Sequence, residues 1–426
     1  MKLNYRRTFF IGLAFLSISA FWQMYDNIVP LILQGTFHMN ETITGAIMAG
    51  DNVLAVFLLP LLGALSDKAD TKWGKRTPFI VVGTALAVVL MLLLPVADRR
   101  ANLALFVAAL FFLLVSMGLY RSPAVALMPD LTPKPLRSQA NAIINLMGAV
   151  GGVYTLVLIS LLPGGEGKPD YMPVFLGVAV LMVAAVVLLL VTVPEKKLAR
   201  QIAEQNLLEE PEEEVLADTT GELAPGVKKS LKMILFSIFL WFAAYNAVTT
   251  AFSRYARTVW QMEGGGFANC LMVATVAAII GYVPIGFISA RVGRKRTIQG
   301  GLLLMLISFF AAIFFVRYHP VVNVGFALIG MGWAAISVNS LPMVVEMCSS
   351  GDVGKYTGLY YTFSMAAQIF TPILSGAFLQ YVSYRTLFPY ACVFTVAAMA
   401  TMSMVHHGDN KPEIKKSILE NFDVED

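Results

Sequence analysis

The chain has 426 residues, of which 57% are apolar (Ala, Val, Ile, Leu, Met, Phe, Trp, Tyr, Cys) and 14% are charged. Soluble domains carry roughly 45–50% apolar and about 25% charged residues, so this balance excludes a water-soluble enzyme, a disordered chain and a nucleic-acid binder. The 31 Lys and Arg against 27 Asp and Glu leave only +4, and Cys270, Cys348 and Cys392 are too far apart for a disulfide framework or a metal-ligand spacing.

A helix that crosses a hydrocarbon layer of roughly 30 Å needs about 20 mostly apolar residues. In chain order, twelve segments qualify: 8–33, 42–65, 77–97, 102–128, 138–162, 172–193, 230–259, 266–289, 297–316, 320–347, 356–381 and 384–405. Runs such as LGVAVLMVAAVVLLLVTV in the sixth are apolar on every face, where a barrel strand would alternate, so these are helices. The first follows Lys2, Arg6 and Arg7 as a signal peptide would. It is too long for one, holds Asp26 and lacks a small-residue cleavage site, and is read as retained.

Alternate loops decide the orientation. One set holds most of the basic residues, among them Lys68, Lys72, Lys75, Arg76, Lys134, Arg137, Lys196, Lys197, Arg200, Arg291, Arg294, Lys295, Arg296 and Lys355. The opposite set holds little beyond Arg99, Arg100, Lys168, Arg317 and Arg385. The positive-inside rule then puts both termini in the cytoplasm, for a multi-pass protein of the plasma membrane. The expected fold is an all-α polytopic membrane protein of 12 transmembrane helices in two six-helix bundles, 1–194 and 229–406. A cytoplasmic linker (195–228) with the acidic run EEPEEE reads as a flexible spacer, and 407–426 as a cytoplasmic tail.

The two halves repeat. WQMYDNIV in span 1 matches WFAAYNAV in span 7, aligning Tyr25 and Asp26 with Tyr245 and Asn246. PLLGALSDKADTKWGKR after span 2 matches PIGFISARVGRKR after span 8, aligning Gly63 with Gly286 and Asp67 with Ala290. RSP ending at Pro123 matches SLP ending at Pro342, and Arg137 matches Lys355. Matches in the same order argue for a duplicated six-helix unit related by pseudo-symmetry, an organisation that many transporters build around a central site.

G-x-x-S-D-K from Gly63 to Lys68, followed by Gly74, Lys75 and Arg76, resembles the loop signature of the major facilitator superfamily. The expanded SDKADTKWGKRTPFI, with YRSPAVALMPDLTP and RSQANAI further on, resembles the sucrose-transporter-like proteins and the glycoside, pentoside and hexuronide cation symporters. The resemblance implies the major facilitator fold, with the end of span 2 abutting the second bundle near the start of span 11. Asp67 would there meet the partial positive charge of a helix N-terminus, and Gly63 would allow close helix approach. Gly63, Asp67, Gly74, Lys75 and Arg76 are thus the expected conformational latch, one-sided because Ala290 replaces the second carboxylate. Melibiose-permease-type members carry two aspartates one turn apart before P-x-x-G in span 2. Ala55 and Leu59 stand at those positions here, with a single Asp51 higher up, which argues against a sodium site of that type.

Ionisable residues inside a span are costly and mark functional candidates. Asp26 and Asp51 are the expected cation-coupling residues. At about 1.5 Å per residue, Asp26 is ~26 Å from the inner face, Asp51 ~13 Å from the outer face, and Arg121 ~27 Å from the outer end of span 4. Asp130 and Glu346 read as end-of-helix groups pairing with basic loops. Aromatics suit sugar C–H faces and amides suit hydroxyls, so Trp22, Tyr25, Asp26, Arg121, Asn145, Tyr245, Asn246, Asn339, Tyr361 and Gln368 form the expected substrate set; Tyr120, Tyr360 and Asn141 have the same chemistry. Aromatics in membrane helices also serve as belt and packing residues.

The expected activity is proton-coupled symport of a small sugar or glycoside by alternating access, in a monomer in the lipid bilayer, with a proton or sodium ion as co-substrate and no cofactor, metal or nucleic acid. A lysolipid or amphipathic-drug carrier and a non-transporting membrane sensor are the rival readings. Without a nucleophile–base pair, metal cluster or phosphate loop in the sequence, an enzyme is not expected.

Overall fold

The computed structural model describes residues 3–133, 137–163, 169–208, 225–347 and 353–409. The acidic run of the linker, Lys134, Lys168, Cys348, the tail beyond Asp409 and the side chains of Arg137 and Lys355 lie outside the described residues. Helices follow in the order α1 (Tyr5–Gly35), α2 (Glu41–Lys68), α3 (Thr77–Arg99), α4 (Leu103–Asp130), α5 (Arg137–Leu161), α6 (Met172–Thr192), α7 (Glu195–Leu208), α8 (Pro225–Thr258), α9 (Phe267–Val292), α10 (Arg294–Ile313), α11 (Val322–Val345), α12 (Val353–Tyr381) and α13 (Leu387–Ser403). Among the described residues, 12 helices are long and apolar enough to cross a membrane. The chain is an all-helical, multi-pass membrane protein.

Every backbone group in a bilayer must bond internally, and a helix achieves this within one segment. The ends carry ordinary stop signals. The Asn4 side chain accepts the Arg7 amide (3.0 Å) and the Asn102 side chain the Leu105 amide (3.0 Å), capping α1 and α4. Proline opens α3 and α6, where its missing N–H costs nothing. Val191 and Phe57 stand 79% and 70% exposed, as lipid-facing residues should.

The chain falls into two compact units. The first holds α1, α2 from Gly50 onward, α3 to α7 and residues 264–269; the second holds the rest, including Asn40–Ala49 at the start of α2. In the first, α1 packs on α5 and α6, and α3 on α4 and α6. In the second, α8 packs on α12 and α13, and α10 on α11 and α13. The partners are the same in each, so the duplication read in the sequence is a repeat of packing.

Small residues mark the tightest crossings. A Cβ added at Gly151 would overlap the Leu16 carbonyl, and one at Gly330 the Ala274 carbonyl. The second unit also buries an ion pair: Arg254 Nε donates to Glu41 Oε2 at 2.9 Å, with side chains 4% and 3% exposed. The Tyr384 hydroxyl donates to the other Glu41 oxygen.

The expected flexible spacer begins instead as a helix. The segment EKKLARQIAEQNLL of α7 is made almost wholly of strong helix formers, and Ile202 is buried.

Candidate functional site

The first unit contains a pocket of ≈ 290 Å³ lined by Trp22, Asp51, Leu54, Ala55, Leu58, Leu59, Leu114, Gly118 and Arg121. The figure includes the space open to the outside; apolar walls with a few convergent polar groups are the usual chemistry of small-molecule sites. Arg121 from α4 lays its guanidinium carbon 5.8 Å from the centre of the Trp22 ring. Asn52 Nδ2 donates to Asp51 Oδ1 at 2.9 Å. Asp51 lies within Coulombic range of Arg121 and of Asp26, so it links the three charges expected from the sequence. Helix rise alone would put Arg121 and Asp51 at different depths, yet both line this pocket.

Trp22 also stacks edge-on against Tyr25, with ring centres 5.4 Å apart. The Trp22 indole N–H and the Tyr25 hydroxyl are both buried and bond to no group among the described residues. A buried polar atom without a partner costs free energy, and of the two residues Trp22 lines the pocket. Asn145 is half-buried on α5. Tyr120 points elsewhere: its hydroxyl meets Ser17 and donates to the Ala14 carbonyl at 3.0 Å, a packing role.

The second unit carries an aromatic wall. Tyr245 and Trp333 lie parallel, 3.8 Å between centres and 8° between planes. Phe242 meets Trp333 edge-on at 5.1 Å, and Tyr361 meets Tyr360 edge-on at 5.4 Å. Asn246 Nδ2 is buried with no partner among the described residues, matching the orphans on its repeat counterpart α1. Gln368 is half-buried on α12. Asn339 is engaged within the protein: its amide donates to the Ala335 carbonyl at 2.8 Å and its carbonyl accepts from Ser289. Trp333 was not among the expected residues. The repeat offset that aligns Pro123 with Pro342 sets Trp333 opposite Leu114, which lines the first unit's pocket, and that signal could have found it.

The loop signature between α2 and α3 is a bonded network. A Cβ on Gly63 would stand 3.1 Å from Ser122 Oγ of α4. Arg76, 6% exposed, pairs with Asp67 at 2.5 Å and with Asp130 at 2.8 Å and donates to Ser66. Glu195 accepts the backbone N–H groups of Lys75 (2.7 Å), Arg76 (2.9 Å) and Thr77 (2.7 Å), capping α3. Gly74 has φ of 120°, and a Cβ there would overlap the Glu195 carboxylate. Lys196 bonds Asp70 at 3.0 Å and holds its carboxyl below the usual carboxylate range.

The second unit repeats the device. Gly293 has φ of 101°, Asp409 accepts the Lys295 N–H at 2.8 Å, and Arg294 pairs with Glu346 at 2.5 Å. Asp130 and Glu346 therefore both pair with basic loop residues. Glu195 and Asp409 were missed, because their partners are backbone amides distant in sequence.

Residues 10–405 match the family described as MFS/sugar transport protein. Sucrose transport protein SUC4 of Arabidopsis thaliana is 32% identical over 113 residues, 23% of this chain and 22% of that protein. Sucrose transport protein SUC3 of the same plant is 22% identical over 166 residues, 34% and 27% of the two chains. The aligned part therefore spans about a quarter of each relative. Among solved structures, a mutant of the nucleoside transporter NupG superposes with a TM-score of 0.70 at 13% identity, covering 94% of this chain and all of that one. A bacterial homologue of the iron transporter ferroportin, in an inward-facing state, gives 0.67 at 14% over 94% and 99%. These likenesses establish the major facilitator fold. The chain belongs to the MFS/sugar transport protein family.

Proposed function

We propose that the protein is a proton-coupled symporter of a sugar or small glycoside, working by alternating access of two bundles, 1–194 and 229–406, in the plasma membrane with both termini cytoplasmic. The observation that carries the reading is the first unit's pocket, where Asp51 and Arg121 meet on a wall of leucines beside Trp22, with Asp26 in electrostatic reach. Carboxyl groups can carry a proton across an apolar region that excludes free charge, so Asp26 and Asp51 would exchange a proton as the cavity opens and closes to water. Trp22 and Tyr25 would bond sugar hydroxyls through the buried N–H and O–H that have no partner among the described residues. Within the second unit taken by itself, Tyr245 and Trp333 would offer a flat face suited to a sugar's C–H side, and Asn246 a donor suited to hydroxyls. The sucrose transport proteins that share part of this sequence favour a sugar.

The test is uptake of a labelled sugar panel into proteoliposomes under an imposed pH or sodium gradient. Accumulation of a sugar driven by the pH gradient supports the proposal. Accumulation of a lysolipid or drug with indifference to sugars would replace the substrate, sodium-driven uptake would replace the ion, and uptake of nothing in the panel would favour the sensor reading.

A further inference from the structure

The connection between α2 and α3 ends in a tight turn whose tip is an exposed tryptophan. Thr71 and Gly74 form a backbone bridge, Thr71 Oγ1 donates to the Gly74 carbonyl at 2.7 Å, and the Trp73 amide donates to Thr71 Oγ1 at 3.2 Å. From behind, the Glu195 carboxylate holds the three amides that follow, and Lys196 Nζ donates to the Thr71 carbonyl at 3.1 Å. The turn is thus fixed on both sides, yet Trp73 is 64% exposed. The Arg76 network uses Ser66, Asp67 and Asp130 and leaves Trp73 out.

Its position is the second observation. The candidate spans of α2 and α3 run to Asp67 and from Thr77, so Trp73 stands where the apolar spans meet water. Lys68, Lys72 and Lys75 are exposed on the same connection, and Lys197 and Arg200 are exposed on α7. The exposed acids of the turn, Asp67 and Asp70, are already paired, with Arg76 and Lys196. Among the described residues, the indole thus stands beside an exposed basic rim of Lys68, Lys72, Lys75, Lys197 and Arg200, with Asp70 within Coulombic reach of Lys75 and Arg200. An indole with an apolar body and a polar N–H suits the headgroup level of a bilayer, and clustered lysines beside a span attract anionic lipid over a Debye length of about 10 Å at 0.1 M salt.

We propose that this turn is a membrane-surface anchor: the Trp73 indole inserts among the headgroups while Lys68, Lys72 and Lys75, with the α7 bases, bind the phosphates of anionic lipids. The anchor is independent of what the protein transports. It would tie the loop signature, and through it the end of α2, to the lipid composition of the leaflet it faces.

The test uses the full chain in proteoliposomes of phosphatidylcholine alone or mixed with phosphatidylglycerol. The Trp73 contribution to emission is read as wild type minus Trp73→Phe, which cancels the other four tryptophans. The expected result is emission at shorter wavelength and quenching by brominated lipid in the mixed bilayer, both reduced in phosphatidylcholine, at high salt, and in a Lys68→Gln/Lys72→Gln/Lys75→Gln variant. Wild-type protein alone gives a second readout, a gain in brominated-lipid quenching between the two bilayers. Water-like emission of Trp73 quenched by aqueous iodide in the mixed bilayer would overturn the anchor. So would inorganic phosphate reproducing the shift in phosphatidylcholine, which would make the site one for a soluble anion, or a lysine variant that behaves as wild type.

Discussion

Arg121 and Trp22 meet face to cation, the guanidinium carbon 5.8 Å from the ring centre, on the wall of the pocket that Asp51 also lines. Such contacts are worth ~0.5–1 kcal/mol when exposed and ~2 when desolvated. For a half-buried pair about 1 kcal/mol is reasonable, or about fivefold in affinity. Lysine keeps the charge and loses the planar fork. Arg121→Lys should therefore weaken binding of the transported sugar about fivefold in a scintillation-proximity assay, while Arg121→Gln should leave no accumulation. Wild-type affinity in the lysine variant would show that the planar stack is not used.

Asp26 and Asp51 separate under substitution. If both take part in proton exchange, Asp26→Asn should abolish uphill uptake yet allow slow exchange down a gradient, because the amide bonds a hydroxyl but carries no charge. Its repeat counterpart is already Asn246. Asp51→Asn removes a carboxylate that lines the pocket within Coulombic range of Arg121 and should also weaken binding. Accumulation by Asp26→Asn with the wild-type pH profile would leave Asp51 as the proton carrier.

The spans were legible because lipid forces helices to be long and apolar, and Asp26, Asp51 and Arg121 because a charge at depth stands out against that background. Trp333 was not, since a tryptophan in a membrane helix has the same sequence signature in a belt, a core or a binding wall. Its parallel contact with Tyr245 is visible only in the structure. The start of α7 was hidden behind the acidic run that follows it. Glu195 and Asp409 were invisible for a different reason: a carboxylate that caps a distant helix leaves no residue pattern, because backbone amides are the same everywhere. Asn339, a residue type suited to sugar, bonds Ser289 and the Ala335 carbonyl, partners that the sequence does not reveal.

The Tyr245–Trp333 stack gives a prediction for the second unit. Trp333→Ala removes a ring pair worth about 0.5–1.5 kcal/mol beyond its buried area, and with it the proposed platform. KM for the transported sugar should rise while the pH dependence of uptake is unchanged, since no ionisable group is touched. Trp333→Phe should recover much of the loss. An unchanged KM in Trp333→Ala would remove this wall from the site.

Gly74 tests whether the loop network matters for turnover. A side chain there faces both a φ of 120° and the Glu195 carboxylate, and strained backbone of this kind costs about 1–3 kcal/mol per residue. Gly74→Ala should lower the thermal midpoint and the transport rate together. Asp67, 61% exposed, should behave otherwise: Asp67→Ala should depress transport far more than sugar binding or stability. Equal loss of binding and transport in Asp67→Ala would mean that it supports the pocket and is no latch.

The last prediction concerns Glu41 and Arg254, the second unit's buried pair. Removing one partner of a buried ion pair typically costs about 3–5 kcal/mol because the other charge is stranded, whereas replacing both by neutral groups is far milder. Tyr384 donates to Glu41 and Arg254 Nη1 donates to the Thr250 carbonyl at 2.7 Å, so neither charge relies on its partner alone. Those extra bonds should hold the single-variant cost to the lower end of that range. Glu41→Gln keeps an acceptor for Tyr384 but strands the guanidinium, and Arg254→Gln strands the carboxylate. Each should lower the thermal midpoint sharply, and the double variant should cost well under the sum, with a coupling of at least about 1 kcal/mol, within the range for contacting residues. The measurement is the thermal midpoint of detergent-solubilised protein for the four members of the cycle, and additive losses would mean that the two side chains stabilise the fold independently.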